Sequence, residues 1–192
     1  MNLKVQVWEK ELNAITSQFK TSFGELSAEE LNWKPDTKTW SIAENLDHLI
    51  KINESYYPVI RQARQGVLKL PFIAKFSFFT NLFGNLILKS VNPDRKKKIK
   101  TFPVWEPSRS QFGTDILPQF EKHQKEFINF LKSTSDLLDK QTIISSPANK
   151  TIVYKLETAF DIIVTHEKRH YNQALEVLAQ IKGGNNKTAV PA

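Results

Sequence analysis

The chain has 192 residues, a net charge of +7, 40% hydrophobic and 24% charged side chains, and no cysteine. That length suits one domain burying about 70% of the surface its unfolded chain exposes. The missing cysteine excludes disulfides, thiolate ligands and a cysteine nucleophile, so any metal must be held by His, Asp or Glu. The positive charge permits weak attraction to anions without marking a nucleic-acid binder.

In chain order, Val5, Trp8, Leu12, Ile15, Phe19, Phe23 and Leu26 recur at steps of three and four, the period of an amphipathic helix. The start, MNLKVQVWEKEL, has no apolar core of a signal peptide, so a cytoplasmic location is expected. Ser27-Ala-Glu-Glu30 is a capping box for a short helical turn, and Pro35 stops regular structure. A second capping box, Ser41-Ile-Ala-Glu44, opens a helix expected to run to about Gln65, before Gly66. Its stripe is Asn45, Leu49, Ile52, Tyr56, Val59 and Ile60.

Residues 67–112 read as an insertion. A Phe-rich piece, expected to be helical near 74–89, precedes the cation run Arg95-Lys-Lys-Lys-Ile-Lys100, and Pro103 and Pro107 keep the chain extended. Leu70 to Leu88 is the longest apolar-rich run, but Lys75, Asn81 and Asn85 interrupt it, so it falls short of a membrane span. A third long helix is predicted from about Thr114 to Leu131, with Pro118 tolerated in its first turn and Ile116, Phe120, His123, Phe127 and Phe130 on its stripe. A loop around Ser145-Ser-Pro147 follows. The last helix is predicted over roughly 152–181, with Leu156, Phe160, Ile163, His170, Ala174, Val177 and Ile181 facing the core. Four long amphipathic helices with few strand signals define an all-α four-helix bundle. The expected domain is 1–182, and the tail GGNNKTAVPA, 183–192, reads as disordered.

His166-Glu167-Lys168-Arg169-His170 matches H-E-x-x-H. The protease reading needs a third ligand downstream, and YNQALEVLAQIKGG offers only Glu176, on the same helix. The bare i, i+4 pair still puts two imidazoles on one helix face. Its plain alternative is a surface-edge histidine pair beside Lys168 and Arg169. A further ligand can come from upstream: His48 lies in the second long helix, which can face the last one across an antiparallel bundle. One imidazole plus the pair makes a three-histidine site with open positions, able to activate water or bind substrate.

Trp40-Ser-Ile-Ala-Glu-Asn-Leu-Asp-His48-Leu, His166-Glu-Lys-Arg-His170-Tyr-Asn-Gln173 and Glu29-Glu-Leu-Asn-Trp33-Lys-Pro35 resemble the DinB/YfiT-like metalloenzyme family in order and spacing, over most of residues 1–181. The insertion is longer than in the simplest members. The resemblance implies a four-helix bundle with zinc or nickel on three histidines, by position His48, His166 and His170. It also implies a small-molecule substrate, with thiol-dependent transferases and an isomerase among the family's assigned activities. Hydrolysis, or transfer of a low-molecular-weight thiol supplied as a cosubstrate, is the expected chemistry. The other reading is a non-catalytic interaction module with a structural metal and the Phe-rich insertion as contact surface.

Around this core stand weaker candidates. Glu44 is a fourth ligand or, as we expect, the N3 residue of its cap. Asp47 is expected in solvent. Glu167 is a candidate general base through water, against the plain alternative of contact with solvent or a neighbouring helix. His123 is a candidate proton carrier or extra ligand, against a satisfied core histidine. Gln173 shares the face of His170. Phe72, Phe76, Phe78, Phe79 and Phe83 are expected to pack over the bundle; a pocket lining, a homodimer surface and a membrane-surface dock are their alternatives. The 95–100 run is expected as a solvated loop, with no specific nucleic-acid partner.

Overall fold

Both capping boxes form as the sequence requires. Glu44 N–H donates to Ser41 Oγ at 3.1 Å while Ser41 N–H donates to Glu44 Oε2 at 2.8 Å, and Ser27 and Glu30 do the same. These reciprocal bonds satisfy orphan N–H groups and fix where each helix starts. The computed structural model describes residues 3–94 and 101–185; the basic run 95–100 and the tail beyond 185 lie outside the described residues.

In order the elements are α1 (Leu3–Phe23), α2 (Ala28–Asn32), α3 (Ile42–Arg64), a 3-10 turn (Phe72–Lys75), α4 (Ser77–Ser90), a second 3-10 turn (Pro103–Trp105), α5 (Ile116–Lys132), α6 (Ser135–Asp139), β1 (Ile143–Ser145), β2 (Val153–Lys155) and α7 (Leu156–Asn185). The long helices α1, α3, α5 and α7 make the four-helix bundle. α1 packs on α5 and α7, and α3 packs on the same two, so α1 and α3 occupy opposite corners. Val5, Trp8, Leu12, Ile15, Phe19 and Phe23 are all buried, each worth about 1.5–3 kcal/mol in area removed from water. Trp8 Nε1 donates to Asp161 Oδ1 at 2.8 Å, which pins α1 to α7.

Two features depart from expectation. Residues 153–155 form a strand, paired antiparallel with β1 in the register Ile144 opposite Tyr154, so the last helix starts at Leu156 rather than near 152. Val153 and Tyr154, both buried, are a β-branched and an aromatic residue that suit a pleated strand better than a first helical turn. At the other end α7 runs to Asn185, through the first residues of the expected disordered tail.

The insertion is tied to the bundle at both limbs. α4 packs on β2 and α7. A Cβ at Gly84 would lie 2.8 Å from Thr158 Cγ2, so only glycine lets α4 approach α7 this closely. On the return limb, Asp47 accepts from Ser108 N–H at 2.6 Å and Ser108 Oγ at 2.8 Å, Lys51 Nζ donates to the Glu106 carbonyl, and Asn32 exchanges two bonds with the Phe112 backbone. Asp47, expected in solvent, is thus a clamp on the insertion. Of the Phe-rich set, Phe79 and Phe83 are half-buried, whereas Phe72, Phe76 and Phe78 are exposed, so packing over the bundle accounts for only part of it. Among the described residues no helix is long and apolar enough to cross a membrane.

A three-histidine candidate metal centre

His48 on α3 and the pair His166 and His170 on α7 converge because those two helices are neighbours. One ring nitrogen from each lies within 4.8 Å of the others, and His48 and His170 are buried. His166 Nε2 faces His170 Nε2 at 2.9 Å. The pair points into the bundle, not to the surface edge.

The protein fixes two of the three tautomers. His48 Nδ1–H donates to the Trp105 carbonyl at 2.6 Å; a carbonyl only accepts, so the proton sits on Nδ1 and Nε2 keeps its lone pair. His48 Nε2 is buried without a partner. His170 Nδ1–H donates to Asn45 Oδ1 at 2.6 Å. The Asn45 amide is held that way round because its Nδ2 donates to the Ser41 carbonyl at 2.8 Å. The His170 lone pair therefore also sits on Nε2, aimed at His166. Acceptors on the far nitrogens, aiming Nε2 lone pairs at one point, are the outer arrangement of histidine metal sites. Three nitrogens about 2.1 Å from one tetrahedral ion lie about 3.4 Å apart, so the observed spacings fit a cation after small ring rotations.

Burial holds His48 down to about 4 and pushes His166 and His170 well below the usual imidazole range. All three are neutral at pH 7, the state that ligates. The Trp40 ring lies 4.6 Å from that of His48 and stacks on His170 at 5.8 Å, covering one side of the cluster.

The histidines open onto a cavity of about 810 Å³. Ile52, Ile162, Ile163 and Val177 supply apolar wall, Tyr56 and Tyr154 share a 2.9 Å hydroxyl bond there, and Ile87, Ser90 and Val91 bring in α4. Lys34, Glu44, Arg169 and Gln173 are among its polar lining. Glu44 is the cap residue, with Oε1 on Lys34 Nζ at 2.7 Å.

Neither Glu167 nor His123 lines this cavity. Glu167 is fully buried, and its two oxygens accept from Asn53 Nδ2 at 2.8 Å and Gln124 Nε2 at 2.5 Å. Burial pushes its carboxyl up to about 7 against the pull of those amides. His123 stacks against Phe127 at 6.1 Å, with Nε2 buried and unpartnered. Sequence reasoning missed the roles of Trp40, Asn45 and Trp105. Asn45 carried a signal, as a polar residue in an otherwise apolar stripe one turn before His48; the Trp105 carbonyl carried none.

Bundle and cluster together define a helical scaffold whose buried imidazoles can take a divalent cation. A family model for the DinB superfamily matches residues 11–174, and the chain belongs to that superfamily. Among solved structures, YfiT from Bacillus subtilis, described as "a probable metal-dependent hydrolase with an unusual four-helix bundle topology", aligns at a TM-score of 0.57 and 12% identity over 95% of this chain and 90% of that one. At that identity the likeness establishes the fold. No curated protein matches the chain.

Proposed function

We propose that the protein is a metal-dependent hydrolase of a small molecule, with His48, His166 and His170 holding one Zn²⁺ or Ni²⁺. The observation that carries this is the pair of protein acceptors, the Trp105 carbonyl and Asn45 Oδ1, that turn two buried lone pairs toward a third imidazole. The description of YfiT supports it. When bound, such an ion supplies Lewis acidity and lowers the pKa of water at an open position. His48 and His170 keep their lone pairs on Nε2, Trp40 shields one side, and the cavity, within the about 300–1,000 Å³ range of small-molecule sites, places substrate beside the cluster. Glu167 and His123 take no proton from substrate in this reading, because neither reaches the cavity; Glu167 braces α7 against α3 and α5. Transfer of a low-molecular-weight thiol uses the same open position, and the chain itself has no thiol to offer.

The test is metal content after reconstitution with Zn²⁺ or Ni²⁺ and dialysis, followed by a hydrolysis screen on small esters, amides and thioesters. About one equivalent is expected in the wild type and under about 0.2 in His48→Ala and His166→Ala. A wild type that retains no metal overturns the reading. Retained metal with no turnover of any substrate, and a melting point that collapses on metal removal, gives the structural role instead.

A further inference from the structure

The net charge of this molecule is concentrated in one stretch of its sequence. Residues 66–105 carry eight of the 27 Lys and Arg and one of the 20 Asp and Glu, Asp94, so the rest of the chain is balanced at nineteen of each. Between Glu54 and Asp94 the sequence has no acidic residue, and Lys69, Lys75 and Lys89 are all exposed.

Apolar side chains are exposed on the same segment. Phe72, Phe76, Phe78, Leu82 and Leu86 show 69%, 47%, 67%, 39% and 55% of their surface to solvent. Phe78, Leu82 and Leu86 follow at i, i+4 and i+8, one stripe along α4, with Lys89 continuing it. The stripe is not what attaches the helix. Thr80 and Gly84, on the opposite face, are buried against the bundle, and Phe83 and Ile87 are half-buried beside them. α4 is therefore held by its inner face and presents a second apolar face that none of the described residues covers.

We propose that the outer face of α4, with the turn before it, docks on an anionic lipid surface. Phe and Leu stripes flanked by lysines are what an interfacial helix needs: apolar side chains enter the boundary between headgroup and acyl chain while ammonium groups meet phosphates. The 14 residues of α4 are too few to span a bilayer, and Asn81, Asn85 and Lys89 on the outward side keep it shallow. A second copy of the chain is a poor occupant, since two such faces bring lysines together with no carboxylate between them. A nucleic acid satisfies the lysines and leaves Leu82 and Leu86 exposed. Docking sets α4, whose Ile87 and Ser90 line the histidine cavity, between that cavity and the lipid.

The test is co-sedimentation of the full chain with unilamellar vesicles of phosphatidylcholine, with and without about one-third phosphatidylglycerol. Binding at least about tenfold tighter to the anionic vesicles is expected, weakening with salt. The variant F78S/L82S/L86S should lose at least about tenfold, as should K69Q/K75Q/K89Q, with melting points kept within a few degrees because these side chains are exposed. F78S alone, expected to lose about tenfold from one buried ring, serves if the triple variant does not fold. The proposal is overturned by absence of pelleting, by equal pelleting on neutral lipid, or by an apolar variant that binds as well as wild type. It is overturned equally by a wild-type dimer that F78S/L82S/L86S renders monomeric without vesicle binding, or by tighter retention on a single-stranded RNA than on vesicles.

Discussion

Asn45 holds one ring of the histidine cluster from a position outside it. Its Nδ2 is committed to the Ser41 carbonyl, so its Oδ1 can only accept, and His170 must present Nδ1–H to it. Asn45→Leu removes that acceptor and frees the His170 tautomer. We expect Zn²⁺ affinity to fall about 10–100-fold, read by competition against a chromogenic chelator, with the helix content unchanged. His123 gives a second residue-scale prediction. Burial depresses it to about 4 in the folded chain, against about 6.5 unfolded. A depressed folded value means the unfolded chain binds the proton first, so this contribution is complete above pH 6.5 and is lost as pH falls toward 4. The loss amounts to about 3 kcal/mol at most, and urea titrations should show a flatter decline over that window in His123→Leu. The histidines themselves were legible, because i, i+4 spacing and the resemblance both point at them. Their outer partners were not: a backbone carbonyl such as that of Trp105 has no side-chain identity to read.

The capping boxes made the starts of α2 and α3 readable to the residue, since reciprocal side-chain bonds are local chemistry. The short hairpin of β1 and β2 was not readable, because three-residue strands carry almost no period and draw their stability from the helices around them. The Phe-rich segment read correctly as a helix but not as one with two apolar faces; which face meets the bundle depends on Gly84, whose role appears only when Thr158 is opposite. Gly84→Ala should lower stability by about 1–3 kcal/mol from overpacking, less the about 1 kcal/mol that alanine gains in a helix. Thr158→Ser, which deletes the opposing methyl, should relieve it. A double-mutant cycle by urea denaturation should therefore show coupling of about 1 kcal/mol; strict additivity would mean the helices separate freely.

At the scale of the whole molecule, four amphipathic stripes announce a bundle, but not which helices touch. Stripe and spacing are short-range properties, whereas the ring order, with α1 and α3 at opposite corners, comes from how the insertion and the hairpin route the chain. That order is what allows α3 to meet α7 and His48 to meet the pair.

The diagonal placement also has a kinetic side. Asn45 and His170 are bonded across 125 positions of sequence, so the cluster exists only once α3 and α7 have closed on each other. Such long-range closure comes late in folding. Under the proposed function, zinc present at about 100 times its dissociation constant adds about 2.7 kcal/mol to stability, and stopped-flow measurements should find that gain almost wholly in the escape rate. Unfolding should slow about a hundredfold while refolding keeps its zinc-free rate, making the ion a latch on the finished molecule and no guide to reaching it.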